Sequence, residues 1–558
     1  MKKQLSMLAI LVGASLNAQA AQEPFFTINE ADPTHPGYAS GISADGTGLI
    51  GIDPKNNTAE YFSTVQFADF LVDRFRFYQV GKDRFGCMLS NSVCDSFWDS
   101  NSTGNFAYQW RVDFLANTAQ RSNIGYVTSS ELDGLVTALG ETPADRVGYT
   151  MVDKLRTGFA VIGDGQPVEL KDAASTHSLS IPTAIKKLED GQYLVTGTAA
   201  SGKNHVVGGD FYNKCFSGND SQGGEYGYCP GVDTQASFWL LSDSGSVKKL
   251  MQASTYGHER NEVLQTASAL GIAKFNNTLY GVGYSSTGEY GSGDLDGRNL
   301  ASYWTLDINA ETVGNTQIIP LPEGQPGKDD NKLQYSWAVA VNDNGYVIGN
   351  QRYRIGKGQN LPVEMFVFNL SSPTSNASVP LKDNPISGAN SEAAAINNHN
   401  MVVGWRDSRH QTQPVVNGTN RMQEAFLLDA ASPSNNWYLN DLICGLDDAG
   451  AKQCAAPNGK YYHIAYASGI SSDGTIAATA YRYNSESDLN LRTNATVVAV
   501  KLTPAVAGYQ GNKPAEYVVS NAPVNNQTGQ DGGEGGGGSL FWLTLLALPF
   551  AWLRRYQR

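Results

Sequence analysis

The strongest constraint on the fold is a short phrase that recurs along the chain. It reads as a small residue, a small or apolar residue, an aliphatic, a polar pair, a turn, and an apolar pair ending in Gly. Six copies are legible. They run from Ala39-Ser40-Gly41-Ile42-Ser43-Ala44-Asp45-Gly46 to Gly51, from Ala184-Ile185 to Gly197, and from Gly271-Ile272 through Asn276-Asn277 to Gly283. The others are Ala340-Val341-Asn342-Asp343-Asn344-Gly345 to Gly349, Ala395-Ile396-Asn397-Asn398-His399-Asn400 to Gly404, and Ala467-Ser468-Gly469-Ile470-Ser471-Ser472-Asp473-Gly474. Asp-Gly, Asn-Gly and His-Asn pairs tolerate the positive φ that tight hairpins require. The flanking aliphatics are strand formers. Each copy therefore predicts a β-hairpin.

A second phrase, a short aromatic strand, follows the first. It appears as Ser237-Phe238-Trp239, Ser302-Tyr303-Trp304, Met365-Phe366-Val367 and Ala425-Phe426-Leu427. Looser copies are Tyr108-Gln109-Trp110, Phe159-Ala160-Val161 and Val497-Val498-Ala499. Seven second phrases against six first ones place a missing hairpin between 111 and 157, where Asp133-Gly134-Leu135-Val136 is a poor match. About four strands per unit and seven units predict an all-β chain, a β-propeller of about seven four-stranded blades. No unit can bury its own faces, but a closed ring buries all of them. A β-solenoid or tandem sandwiches are the alternative. Composition agrees: 59 of 558 residues are Gly, 10% are aromatic and 17% are charged, against about 25% charged in an average soluble domain.

Both ends read as addresses. Met1-Lys2-Lys3, the apolar run Leu5 to Leu16 and Ala18-Gln19-Ala20 form a secretory signal peptide over 1–20, with cleavage after Ala20 by signal peptidase. The propeller repeat domain is expected over 21–525, with an insertion near 60–105 that carries a helical spacing at Phe67, Phe70, Leu71, Arg74, Phe75 and Tyr78. A Gly-rich linker follows over 526–539, then a hydrophobic helix over 540–553 and a basic tip over 554–558. The tip should stay cytoplasmic by the positive-inside rule.

The six cysteines fall into three local pairs, Cys87 with Cys94, Cys215 with Cys229, and Cys444 with Cys454. In an oxidising compartment such spacings read as disulfides, and nearest-neighbour pairing is our choice among 15 arrangements. The spacings fit no zinc pattern. The precursor carries −13. Removing both ends takes away five cations and one anion, so the mature chain is more acidic still. An acidic surface repels phosphate backbones, and nucleic acid is excluded as a partner.

The tail, with Gly532-Gly533 followed by a short apolar helix and arginines, resembles the GlyGly-CTERM sorting signal of Gram-negative bacteria. The resemblance implies processing near Gly532 and Gly533 by a rhombosortase-like protease and export through the type II secretion machinery, to the cell surface or the medium. An inner-membrane anchor facing the periplasm is the other reading. The phrase pair resembles the HAF family of extracellular repeats at 338–349, 393–404 and 424–427, with Glu424 where that family has His. The whole chain is similar to an uncharacterised family of secreted Gram-negative proteins, a domain of unknown function, which implies no activity.

The chemistry is sparse. Gly46-Thr47-Gly48-Leu49-Ile50-Gly51 spells a dinucleotide fingerprint but lacks the strand–helix context. The seven histidines show no His-Glu-x-x-His spacing, and His399 occupies a turn position. Asp294, Asp296 and Asn299 group hard oxygens around glycines, a donor set that suits calcium, with a plain surface turn as the other reading. No other cofactor and no catalytic residue is indicated. The leading expectation is a secreted or surface-exposed, non-enzymatic binding protein of unknown ligand. The alternatives are an extracellular polysaccharide hydrolase with carboxylates in the propeller channel, and an envelope scaffold anchored in the inner membrane.

Overall fold

The computed structural model describes residues 22–33, 37–54, 118–121, 135–152, 155–171, 179–203, 232–254, 267–286, 299–325, 332–353, 362–410, 422–448 and 451–505. Both chain ends, the insertion near 60–105, Asp294, Asp296, Cys87, Cys94, Cys215 and Cys229 lie outside them.

Among the described residues, seven antiparallel sheets form the blades of a β-propeller. Blade 1 has strands Tyr38–Ile42, Leu49–Pro54 and Thr118–Arg121. Blade 2 has Leu135–Leu139, Arg146–Val152, Leu155–Val161 and Val168–Leu170. Blade 3 has Ser180–Lys187, Tyr193–Lys203, Val232–Leu241 and Val247–Gln252. Blade 4 has Ala267–Phe275, Thr278–Ser286 and Asn299–Asp307, with Thr312–Val313 and Gln317–Ile318 as a split outer strand. Blade 5 has Leu333–Val341, Tyr346–Tyr353 and Val363–Asn369. Blade 6 has Ser391–Ile396, Met401–Asp407, Gln423–Asp429 and Asn436–Tyr438. Blade 7 has Tyr461–Ile470, Ile476–Tyr483 and Thr496–Pro504, and its outer strand is the N-terminal Phe26–Glu30.

The first strand of each blade packs on the first strand of the next, and Tyr461–Ile470 packs back on Tyr38–Ile42. The ring is therefore closed, and one blade is built from both ends of the described chain. Apolar clusters fill the seams between blades. One joins blades 2 and 3 through Val147, Ala160, Val195 and Trp239. Another joins blades 6 and 7 through Leu427, Ile464, Ala478 and Val500. No blade buries these faces alone, so the ring supplies the core that a single four-stranded sheet lacks.

The recurring phrase has a common backbone cause. Every inner strand carries a β-bulge that leaves one residue without a cross-strand partner: Ser40, Thr137, Thr183, Leu270, Val339, Ala394 and Ser468. Opposite the residue before the bulge stands the Gly that ends the phrase, for example Gly283 facing Ala269 and Gly404 facing Ala393. The bulge pushes a carbonyl into the space of a side chain. A Cβ on Gly404 would fall on the carbonyl oxygen of Glu392, and one on Gly283 on that of Ser268. In blade 7 the equivalent residue is Ala478.

The turn residues behave as their types require. Gly46, Gly345 and Gly474 hold φ of 74°, 81° and 83°, and Asn400 holds 64°. His399 is exposed in its turn, its amide donating to the Asn397 side chain at 3.0 Å.

The missing hairpin falls within the expected 111–157, as Leu135–Leu139 with Arg146–Val152. The connection is a wider one through Thr142-Pro143, closed by Gly140 donating to Asp145 O at 2.7 Å and Asp145 donating to Thr142 O at 3.2 Å. The strand that pairs with Leu49–Pro54 is Thr118–Arg121; Tyr108-Gln109-Trp110 lies outside the described residues.

Candidate functional site on the loop-bearing face

Strand direction divides the ring into two unlike faces. First-to-second strand turns all lie on one face and are short. Their polar side chains bond from blade to blade. Asn342 Nδ2 donates to Asn397 O at 2.9 Å, and Asn397 Nδ2 donates to Ser471 O at 3.0 Å. Ser472 N donates to Ala44 O at 2.8 Å, and Ala44 N to Gly140 O at 3.0 Å. Asp343 accepts from Lys274 N at 2.8 Å and from Lys186 Nζ at 3.0 Å. Those contacts outweigh its burial and hold its carboxyl below the ordinary range. This face is sealed by its own hydrogen bonds.

The opposite face carries the second-to-third strand connections and those between blades. The long connections start and return there, between Pro54 and Thr118, Lys203 and Val232, Ser286 and Asn299, and Asp407 and Gln423. Variable length on a rigid ring is where recognition surfaces are built.

At blades 6 and 7 this face rests on a buried charged cluster. Arg406 and Glu424 are directly opposed on adjacent strands and both are 0% exposed. Glu424 accepts from Ser408 Oγ at 2.8 Å, Arg409 N at 3.1 Å and Asn440 Nδ2 at 3.2 Å. Its carboxylate lies 3.7 Å from Arg409 Nε. Burial alone would raise Glu424. The neighbouring His463, Arg409, His410 and the Ser408 hydroxyl outweigh it and hold the carboxyl down. His463 is pushed down by its own burial, against the upward pull of Glu424.

A short helix, α1 (Leu439–Leu442), completes the cluster. Its Asp441 takes Arg409 in a two-pronged pair, 2.7 Å on each oxygen, and also Lys452 Nζ at 2.7 Å. Burial opposes this carboxyl's charge, and Arg409 and Lys452 overcome it. Asn440 ties the helix to blade 7, its Oδ1 accepting from Ile464 N at 2.7 Å. The guanidinium carbons of Arg406 and Arg409 lie 3.5 and 4.1 Å from the centre of the Tyr438 ring. Cys444 and Cys454 form a disulfide that closes the connection leading into blade 7. The small hairpin inside that connection, Gly445–Leu446 with Lys452–Gln453, also bridges to Gln22 near the start of the described chain.

This arrangement can hold charge and fix loop bases. The inner strands of the seven blades contribute one carboxylate, Glu392, which is 6% exposed. They do not supply the carboxylate pair that glycoside hydrolysis uses. Asn299 opens the third strand of blade 4, paired with Ser286 and buried. Among the described residues no group of three His, Cys, Asp or Glu is placed to hold a metal ion, and no helix is long and apolar enough to cross a membrane.

The charged cluster was not anticipated from sequence. Its one available signal is charge set flush against apolar strand residues, as in Val402-Val403-Gly404-Trp405-Arg406 and Glu424-Ala425-Phe426.

A family model described as a protein of unknown function (DUF3466) matches residues 187–556. No curated protein matches the chain. Among solved structures, the chain is similar to the Trypanosoma rangeli sialidase at 10% identity and a TM-score of 0.31, covering 69% of this chain and 56% of that one. It is similar to the β-propeller domain of the Trilobed protease from Pyrococcus furiosus at 7% identity and a TM-score of 0.32, covering 72% and 86%. It is also similar to the α-L-arabinofuranosidase from Lactobacillus brevis at 9% identity and a TM-score of 0.27, covering 61% and 94%.

Proposed function

The chain belongs to the DUF3466 family of proteins of unknown function, and on that premise we propose that it is an exported, non-enzymatic binding protein whose ligand is captured on the loop-bearing face. The carrying observation is the division of labour between the faces. One is closed by turn-to-turn hydrogen bonds, and the other gathers the long connections over a rigid, charge-pinned base. A rigid ring suits capture, because it is ordered before binding. The lack of a carboxylate pair on the described inner strands favours binding over hydrolysis in the channel.

Export is part of the proposal. The 1–20 leader, with cleavage after Ala20, takes the chain out of the cytoplasm. The GlyGly-CTERM-like tail is cut near Gly532 and Gly533 and releases the propeller to the surface or medium through type II secretion. The disulfide between Cys444 and Cys454 suits an oxidising compartment. The HAF-like phrases fit an extracellular repeat.

The test uses the processed protein purified from the culture medium. It is applied to an array of polysaccharides and glycans, and every hit is assayed for release of reducing ends. Retention without release is expected. Turnover that disappears on substituting a carboxylate would overturn the binding reading in favour of a hydrolase. Cell fractionation accompanies it. A full-length form persisting in the inner membrane would replace secretion with an anchored envelope scaffold.

A further inference from the structure

We propose that the buried cluster at blades 6 and 7 holds a compact inorganic anion of halide size against the side-on edge of Arg406. Arg406 is fully buried, yet its Nε and Nη2 have no hydrogen-bond acceptor. These two N–H groups lie along one edge of the guanidinium, the edge with which arginine grips an anion in a fork. The other contacts of this side chain are Nη1 donating to Asn436 Oδ1 at 3.2 Å and the face of the Tyr438 ring.

Neither nearby carboxylate can serve that edge. Asp441 is engaged by Arg409 and Lys452. Glu424, although directly across the strand pair, is engaged by Ser408, the Arg409 backbone and Asn440. Buried Arg409 and half-exposed Lys452 engage the two carboxylates, and neither carboxylate reaches the Nε–Nη2 edge of Arg406. Burial drags the Arg406 guanidinium down to about 10, against the upward pull of Tyr438, Glu424 and Asp441. A buried donor pair on a charged group normally has a partner, and an ion or ordered water is the usual one where protein supplies none. The missing charge selects the anion. Enclosure selects a small one.

The site is distinct from the ligand surface on the loops, and it stands whether or not that surface binds a glycan. Its consequence is structural: the anion would complete the charge balance between the end of Met401–Asp407 and the Tyr438 ring at the entrance to α1.

Two measurements on the full exported chain decide it. In the first, crystals are soaked in bromide and anomalous scattering is recorded. A peak is expected at hydrogen-bond distance from both Nε and Nη2 of Arg406. In the second, the thermal midpoint is followed as bromide replaces gluconate at constant ionic strength. Binding to the folded state alone raises the midpoint saturably. Wild type should show that rise, and Arg406→Lys, which keeps the charge but loses the fork, should not. Density without anomalous signal at this edge means water, and it would overturn the proposal. So would an equal rise in the variant. If Arg406→Lys does not fold, the crystal result alone decides.

Discussion

At the scale of single residues, the fold is governed by a few positions where only one chemistry fits. Gly404 is one, since a side chain there meets the Glu392 carbonyl directly and only backbone movement could relieve it. Gly404→Ala should lower stability by about 3 kcal/mol, the upper range for overpacking, as read from the urea midpoint. Glu323 is another. It accepts from Lys332 Nζ at 2.6 Å and Lys382 Nζ at 2.7 Å, and these contacts bring its carboxyl down to about 2. A carboxyl depressed in the folded state contributes its full share above its ordinary value of 4.5 and loses it as pH falls toward 2. Both lysines are about half exposed, so the contribution is discounted to about 1 kcal/mol. Stability measured from pH 6 down to pH 2 should therefore fall less steeply in Glu323→Gln than in wild type below pH 4.5. Parallel curves would show that the pair contributes nothing.

At the scale of elements, the repeated phrase was legible because each of its parts has a local cause. Asp-Gly and Asn-Gly mark turns, the aliphatic marks the strand after the bulge, and the final Gly marks the close approach. The hairpin of blade 2 was placed only by counting phrases, because its connection runs through Thr142-Pro143 rather than through a two-residue turn and the usual marker is absent. The outer strand of blade 7 escaped altogether. Phe26–Glu30 pairs with Val500–Pro504 across almost the whole chain, and nothing local to either segment announces the partner. The charged cluster was hidden likewise, because Arg409, Glu424 and Asp441 meet only once blades 6 and 7 are assembled. The polar residue after the aliphatic turns out to be a structural device. Asn397 is 6% exposed, caps its own turn by accepting from His399 N and Met401 N, both at 3.0 Å, and donates to blade 7. Asn397→Ala strands those amides and removes the tie to the Ser471 carbonyl, which keeps only Gly474 N at 3.1 Å. It should cost about 2 kcal/mol in chemical denaturation, and a change under a few tenths would remove the turn ring from the account.

At the scale of the whole molecule, the propeller is a closure problem. Six of the seven seams carry an apolar cluster shared by two blades, so the ring gains its full core only when the last blade meets the first. The N-terminal segment does this. Phe25 and Phe26 are buried in the cluster between blades 6 and 7, Glu30 pairs with Arg482 at 2.7 Å and accepts from the Tyr462 hydroxyl, and Ala31 N donates to Ala499 O at 2.9 Å. A closed ring also explains why loops can be long on one face without loosening the other, which is the basis of the proposed binding role. The most direct test pairs Ile28→Cys with Leu502→Cys, which face each other in the strand register. After mild oxidation of the folded protein, peptide mapping should recover a linked 28–502 peptide, while Ile28→Cys with Leu194→Cys should yield none. Failure of the first pair to link in a folded chain, or linking of the second, would mean that the ends do not share a blade and that the ring is open.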